Sequence, residues 1–275
     1  MADSVAEPMV VVDDLHVVYR VFGSKSDKGT AATALLRMLR RQHRPSVREV
    51  HAIRGISFVA NRGDAVGVIG RNGSGKSTLL RAIAGLLPPE QGAVYTTGHA
   101  SLLGVNAALL DDLTGERNVV LGCLAMGMTK KETKEKYQSI VDFSGVGEFV
   151  DLPMKTYSSG MGSRLRFAIA ASKSQDILLV DEALATGDAE FRVKSHARIE
   201  ELRQDAGTVF LVAHNLEEVE LTCNRVIWME RGQIVTQGED VIGIIDRYIA
   251  ASGGTPVDRD PVTGARVHSR VPAKA

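Results

Sequence analysis

The sequence predicts an α/β fold, and three observations predict it. The strand pattern AVGVI, from residue 65, is followed by a glycine-rich turn and a helical pattern, which together make a strand, loop and helix unit. Two further runs, DILLVDEALA from residue 176 and TVFLVAH from residue 208, begin with continuous apolar stretches, as buried parallel strands do. From about residue 114 to 175 the pattern is mostly helical.

Length, composition and charge narrow the class of protein. The 275 residues suffice to bury a sizeable core. The 33 basic residues balance the 33 acidic ones, so the charge gives no support for a nucleic-acid partner. The start of the chain lacks the pattern of a signal peptide, and no apolar run approaches the ~18 residues that span a bilayer. We therefore expect any membrane role to come through a partner protein.

Shorter patterns predict the remaining elements in order. MVVVDDLHVVYRVF is rich in β-branched residues and predicts one or two strands. A basic amphipathic helix is predicted over residues 33–44, either as a solvated surface helix or as one that faces the anionic inner leaflet or a membrane partner. Thr129 and Glu132 form the capping-box pattern of a helix start. RVIWMERGQIVTQG predicts a hairpin around Arg231 and Gly232.

The segment GRNGSGKST matches the pattern of a phosphate-binding loop, G-x-x-x-x-G-K-[ST], in the strand–loop–helix setting that this pattern requires. Glycines let successive backbone N–H groups point inward, and the positive end of the following helix adds to the same anion site. Lys76 can reach the β- and γ-phosphates of a nucleotide, and the Ser77 hydroxyl can ligate Mg²⁺. The alternative is a simple glycine-rich turn. The candidate nucleotide-binding residues are Gly70, Arg71, Asn72, Gly73, Ser74, Gly75, Lys76, Ser77 and Thr78.

Two acids and a histidine follow the buried strands. Asp181 and Glu182 end one strand, at the edge of a parallel sheet where ligands bind in open α/β folds. We expect Asp181 to hold Mg²⁺ through its waters and Glu182 to polarise an attacking water. Alternatively, the acids mark only the point where the strand meets solvent. His214 ends a strand that we expect to lie beside the Asp181 strand, so it could contact the γ-phosphate.

With these three motifs in order, the chain resembles the ATP-binding cassette (ABC) ATPases from about residue 10 to 245. The resemblance implies a mixed sheet, an N-terminal antiparallel β part, and a helical subdomain at about 114–175. It places the nucleotide-binding domain at 1–245 and a short extension at 246–275, which we expect to be disordered from about 253. It also implies ATP and Mg²⁺ as cofactors and a head-to-tail dimer of two copies that sandwiches two ATP molecules.

The segment TYSSGMGSRLRF stands where the family has its signature, usually written L-S-G-G-Q. Ser158 and Gly160 still present a hydroxyl and backbone N–H groups at the start of the predicted helix MGSRLRFAIAASK, whose positive end can face an anion. The resemblance therefore implies that Ser158, Ser159 and Gly160 contact the ATP held by the other copy. Two further positions match the family's functional residues less directly. Tyr19 stands where the family has an aromatic residue that stacks on adenine, or else is a core strand residue. Val105 or Asn106 stands where the family has a glutamine.

The Y-S-S-G-M form, followed by LLVDEALATGDAEF, is similar to the ATPases that export bacterial polysaccharides, the O-antigen and teichoic-acid exporter group. That resemblance implies an ATP-hydrolysing subunit on the cytoplasmic face of the cell membrane, bound to a polytopic permease. The permease would move a lipid-linked polysaccharide, either O-antigen-like or a cell-wall galactan. The alternatives are the ATPase of a drug or lipid efflux or import system and a non-transport ABC ATPase.

Overall fold

The computed structural model describes residues 7–23, 46–103, 109–181, 189–212 and 215–254. The predicted basic helix at 33–44 and the positions Val105 and Asn106 lie outside the described residues. The predicted disordered tail lies outside them from residue 255 onward. In the part of the chain that is described, no helix has the length and apolar character needed to cross a bilayer.

An antiparallel sheet of three strands is built from the N-terminal part of the chain, in the order β2-β1-β4. The segment predicted as one or two strands is a single long strand, β1, which bends at Asp14, where φ is 44°. The register shifts between Val12 and Leu15, which marks this bend as a bulge. The strands are β1 (Pro8–Gly23), β2 (Ser46–Asn61) and β4 (Gln91–Thr96).

A mixed sheet of six strands forms the centre, in the order β5-β6-β7-β3-β8-β9. Neighbours from β5 to β8 are parallel, and β9 pairs antiparallel with β8. The predicted hairpin is confirmed, and its two turn residues have the positive φ angles that such tight turns require, 49° at Arg231 and 81° at Gly232. The strands are β3 (Ala65–Ile69), β5 (Ala100–Leu102), β6 (Ile177–Asp181), β7 (Thr208–Val212), β8 (Arg225–Glu230) and β9 (Gln233–Gly238).

Seven described α-helices connect and cover the strands, and two short 3-10 helices, Gly147–Asp151 and Met154–Thr156, lead into the signature segment. The predicted capping box is confirmed: the Thr129 hydroxyl accepts from the Glu132 N–H at 3.2 Å, and the Glu132 carboxylate accepts from the Thr129 N–H at 2.7 Å. The last helix runs through residue 245, so the domain boundary placed there falls within a helix. The helices are α1 (Lys76–Ile83), α2 (Gly115–Ala125), α3 (Lys130–Ser144), α4 (Ser159–Ala170), α5 (Ala189–Asp205), α6 (Leu216–Thr222) and α7 (Val241–Ala251).

Three apolar clusters hold these layers together. The first lies between the two sheets and α1, and it includes the tilted ring pair Phe58 and Phe210. The second lies on the opposite face of the mixed sheet, under α4, α5, α6 and α7. The third, here called the helical cluster, joins α2, α3 and α4 around Leu165. Cys123 and Cys223 are buried free thiols in these clusters. The phosphate-loop helix thus belongs to the first cluster, whereas the signature helix is shared by the other two.

Candidate nucleotide-binding site

The glycine-rich loop after β3 takes a shape that only glycine permits at two points. Gly70 and Gly75 have φ angles of 145° and 108°. A Cβ atom on Gly70 would lie 2.2 Å from the Met229 carbonyl oxygen, and one on Gly75 would lie 2.7 Å from the Ala52 carbonyl oxygen. Gly75 is also the N-cap of α1, and no side chain caps this helix start. The first N–H groups of α1 are therefore left for an external acceptor.

Lys76 folds back into the loop. Its side chain is buried, and Nζ donates to the carbonyl oxygens of Gly70 at 2.6 Å and Arg71 at 3.1 Å. Burial lowers the pKa of Lys76 below the usual value for lysine, and the nearby charge of Asp181 opposes that shift. The ammonium group is thus held at the loop by main-chain oxygens, in a place where a phosphate would favour its charged form.

An open cleft of about 280 Å³ lies above this loop. The register of the parallel strands explains its walls: Asp181 at the end of β6 pairs with Val212 at the end of β7, and β3 lies on the other side of β7. The carboxyl ends of these strands therefore meet at one edge of the sheet, next to the start of α1. The lining residues are Asn72, Gly73, Ser74, Gly75, Lys76, Ser77, Thr78, Asp181 and Val212.

The cleft has the oxygen donors that a divalent cation and a nucleotide phosphate need. Ser77 and Asp181, a hydroxyl and a carboxylate, line it together. The Ser74 hydroxyl is buried and has no hydrogen-bond partner among the described residues. Such an orphaned hydroxyl is expected where a bound ligand supplies the partner. The residues present therefore fit both Mg²⁺ and phosphate.

The β8–β9 hairpin supports the loop from below. The Gly232 N–H donates to the Ser74 carbonyl oxygen at 2.9 Å, and the Gly232 carbonyl accepts from the Arg54 N–H at 2.8 Å. A Cβ atom on Gly232 would lie 2.6 Å from the Ala52 carbonyl oxygen. One residue of the hairpin turn therefore links the phosphate loop to β2 of the antiparallel sheet.

Tyr19 lies beside the start of α1. Its hydroxyl oxygen is 3.4 Å from that of Thr78, and its ring is half-buried on β1. Tyr19 belongs to none of the three apolar clusters, which argues against the alternative of a core residue. The antiparallel sheet therefore presents an aromatic ring to the mouth of the phosphate loop.

The signature segment lies apart from the cleft. Ser158 is the N-cap of α4, and its Oγ accepts from the Met161 N–H at 3.2 Å. The helix begins at Ser159, two residues before the predicted MGSRLRF start, so Ser159 and Gly160 form its first turn. Ser158 and Ser159 are exposed and Gly160 is half-buried. None of these three residues lines the cleft of its own chain.

Glu182 and His214 lie outside the described residues, and their roles stay predictions. Each follows closely on a residue that lines the cleft, Asp181 and Val212 respectively. Two features of the site were not predicted from the sequence: the hold of the Gly70 and Arg71 carbonyls on Lys76, and a bond from the Tyr157 hydroxyl to the Phe149 carbonyl. All three acceptors are main-chain oxygens, which every residue carries, so no residue type indicates them.

The loop, its buried lysine and the acidic strand end define a P-loop nucleotide-binding domain. Solved structures share the fold. A dimeric ATP-binding cassette in a post-hydrolysis state with ADP and Pi superimposes with a TM-score of 0.62 at 19% identity, over 84% of this chain and 98% of that one. The ATP-binding subunit of an ABC transporter gives 0.63 at 20% identity, over 90% and 95%.

The chain belongs to the ABC transporter family, whose pattern matches residues 53–185. It is 40% identical over 206 residues to the O-antigen export system ATP-binding protein RfbB of Klebsiella pneumoniae, covering 74% of this chain and 84% of that protein. It is also 42% identical over 198 residues to the teichoic acids export ATP-binding protein TagH of Bacillus anthracis, covering 72% of this chain and 36% of that protein. A second TagH, from Shouchella clausii, is 36% identical over 88% of this chain and 66% of its own length. The chain thus spans between about a third and two thirds of the TagH proteins that it matches.

Proposed function

We propose that this chain is the ATP-hydrolysing subunit of an ABC exporter that moves a lipid-linked polysaccharide across the cell membrane. The observation that carries the proposal is the cleft in which Lys76, Ser77 and Asp181 meet at one edge of the sheet. A phosphate-binding loop, a buried cation and a pair of oxygen donors are the parts that nucleotide phosphates require.

Different residues of the site bind different parts of ATP and its Mg²⁺. The backbone N–H groups of the loop from Gly70 to Thr78 surround the phosphates, and Lys76 contacts the β- and γ-phosphates. Ser77 and Asp181 would hold Mg²⁺, which neutralises phosphate charge when bound. Tyr19 supplies a ring face for adenine.

Hydrolysis in this proposal depends on position and charge. Glu182 polarises the attacking water, and His214 contacts the γ-phosphate. Because the charge that develops during phosphoryl transfer sits on the phosphate oxygens, preorganised N–H groups and cations around the γ-phosphate lower the barrier. The reaction is ATP + H₂O → ADP + Pi.

The second half of the site comes from a second copy. Ser158, Ser159 and Gly160 are exposed or half-exposed at the positive end of α4 and do not line the phosphate-loop cleft of their own chain. In a head-to-tail dimer they would close over the ATP held by the loop of the partner copy. The Ser158 oxygen already accepts the Met161 N–H, so its own proton is free to be donated to a phosphate oxygen.

The transported substrate is inferred from the relatives. RfbB and TagH are named as O-antigen and teichoic-acid export proteins, and this chain shares 36–42% identity with them. We infer that the chain binds a polytopic permease at the cytoplasmic face of the membrane and powers export of a lipid-linked glycan. O-antigen-like chains and cell-wall galactan both belong to this class.

The ATPase part is tested with Glu182→Gln. This variant should bind ATP as tightly as the wild type, lose turnover, and form a stable dimer with ATP in size-exclusion chromatography. Glu135→Gln, at an exposed glutamate of α3, is the matched control and should behave as the wild type. Full turnover in Glu182→Gln would remove Glu182 from the reaction.

The substrate class is tested in cells depleted of this chain. Lipid-linked glycan should accumulate on the cytoplasmic side, and the wild type but not Glu182→Gln should restore its export. An unchanged distribution of glycan across the membrane would reject the polysaccharide assignment and leave the ATPase assignment in place.

A further inference from the structure

The residue before the signature serine, Tyr157, is fixed at two points. Its backbone N–H donates to the Met154 carbonyl oxygen at 3.0 Å. Its hydroxyl donates to the Phe149 carbonyl oxygen at 2.7 Å, and its half-buried ring packs on the helical cluster. Both the main chain and the side chain of Tyr157 are therefore held immediately before Ser158.

The first residue of α2 makes room for this hydroxyl. A Cβ atom on Gly115 would lie 2.2 Å from the Tyr157 oxygen and 3.0 Å from the Val150 carbonyl oxygen. Glycine at this position is thus what lets α2 approach the Tyr157 hydroxyl. Burial raises the pKa of Tyr157, so the hydroxyl stays protonated and remains a donor at neutral pH.

The segment that leads to Tyr157 is also held from the side of α2. The Met154 N–H donates to the Leu113 carbonyl at 2.9 Å, and the Lys155 N–H donates to the Asp111 carbonyl at 2.8 Å. The Lys155 ammonium pairs with Asp112 at 3.0 Å. These bonds restrict the movement of the chain before α4. The Tyr157 hydrogen bonds are the last of them before Ser158.

We propose that Tyr157 is a positioning residue for hydrolysis: through the Phe149 carbonyl it sets where Ser158 and the first turn of α4 meet the phosphate bound by the other copy. The inference rests on the proposed head-to-tail ATP dimer. A leucine, which the common L-S-G-G-Q pattern has here, cannot make this bond. Because groups that act on a reacting phosphate must be placed within about 0.5 Å, one such bond affects rate.

The test is Tyr157→Phe, which keeps the ring and removes only the hydroxyl. ATP hydrolysis should slow about fivefold, the factor that one net hydrogen bond of about 1 kcal/mol corresponds to. The ATP-induced dimer, measured in the Glu182→Gln background, should weaken by a similar factor. ATP binding to the single chain, measured with a fluorescent ATP analogue, should not change, because the phosphate loop is untouched.

The control is Tyr248→Phe, which removes the hydroxyl of another partly buried tyrosine, on α7 and beside the second cluster. It should leave both rate and dimer affinity unchanged. Gly115→Ala gives an independent arm, since it displaces the intact Tyr157 hydroxyl and should reproduce the effects of Tyr157→Phe.

The outcomes separate the two proposals. If the wild type neither dimerises with ATP nor hydrolyses it, the proposed function itself fails. If the wild type does both and Tyr157→Phe matches it, the positioning role is overturned. It is also overturned if Tyr157→Phe and Tyr248→Phe lower rate and melting temperature in parallel, because Tyr157 would then act only on stability.

Discussion

The phosphate loop and the signature segment are both glycine-containing turns that begin a helix, yet they are built in opposite ways. The phosphate loop is held from within the chain: Lys76 is buried and bonded to two loop carbonyls, and the start of α1 lines the cleft. The signature is open: Ser158 and Ser159 face solvent, and neither lines the phosphate-loop cleft of its own chain. The phosphate loop is a half-site built within one chain, whereas the signature segment is completed by a second copy in the dimer that we propose.

The two regions also belong to different parts of the core. Leu79 and Leu80 of α1 pack in the first cluster, between the sheets. Leu165 of α4 packs in the helical cluster, with α2 and α3. Each half of the proposed composite site therefore has its own structural support, so substitutions should be able to damage one half without the other.

The largest expected effect is on ATP binding by the single chain. Lys76→Ala should weaken it roughly a hundredfold, because contacts between the ammonium group and two charged phosphates are lost. Gly160→Asp should leave it unchanged, since Gly160 does not line the cleft. Isothermal titration with ATP measures both. Weakened ATP binding in monomeric Gly160→Asp would contradict the separation of the two halves.

The next effect concerns hydrolysis in mixtures. Gly160→Asp should abolish turnover because its carboxylate would repel the γ-phosphate of the partner copy. The substitution should fold, since a Cβ atom there comes within 4 Å of only the Ser158 oxygen among the described residues, at 3.9 Å, and acids suit a helix start. Mixed dimers of Lys76→Ala and Gly160→Asp contain one intact composite site, so a mixture should regain turnover that neither variant shows alone. Gly160→Asn is the uncharged control and should keep more activity than Gly160→Asp.

A smaller effect is expected at the mouth of the phosphate loop. Tyr19→Ala should weaken ATP binding about tenfold, in line with the contribution of one aromatic ring stacked on a base. Tyr19→Phe keeps the ring and should bind nearly as well as the wild type. Equal losses in the two variants would instead assign the effect to the contact between the Tyr19 and Thr78 hydroxyls.

A change at the start of α3, one of the helices that the helical cluster joins, should spare the phosphate loop. Thr129→Ala removes the capping box of α3 and should lower stability by about 1 kcal/mol. Hydrogen exchange should increase in α3 while ATP binding to the single chain stays unchanged. A loss of ATP affinity would show that the helical cluster supports the phosphate loop after all.

The smallest expected effect is the uptake of a fraction of a proton when ATP binds. Because burial lowers the pKa of Lys76 and phosphates favour its charged form, ATP binding should take up protons when the pH lies near or above that lowered pKa. ATP affinity should therefore fall as the pH rises through that window. Without ATP, the pH dependence of folding stability has the opposite sign. Between the lowered pKa and the usual lysine value, the unfolded state binds more protons than the folded state, so the free energy of unfolding increases as the pH rises. Titrations in buffers of different ionisation heat measure the uptake, and Lys76→Met should abolish it.

The sequence was informative where the chemistry is local. The phosphate loop was predicted because its function needs glycines, a lysine and a serine at fixed spacing, and the flanking strand and helix are both confirmed. The pairing of β6 with β7 was expected because both strands are continuous apolar runs, which are typical of parallel strands buried on both faces. The start of α4 was misplaced by two residues, since the N-cap is set by the geometry of Ser158 and the polar run SSGMGS offers several possible starts. The hydrogen bonds of the Lys76 ammonium and the Tyr157 hydroxyl go to main-chain carbonyls that folding brings close. Because every residue carries a carbonyl, no pattern of side chains predicts these bonds.

The Gly232 contact with Ser74 has a consequence for how this gene can vary in length. Surface hairpins between strands normally accept inserted residues at little cost, because their tips face only water. This tip faces the phosphate loop and β2 at once, at 2.9 Å and 2.8 Å. An extra residue between β8 and β9 would move the carbonyl of Ser74 or break its bond, although the two residues are separated by more than 150 positions in the sequence. Natural insertions are therefore expected in other surface turns of this domain and excluded from this one.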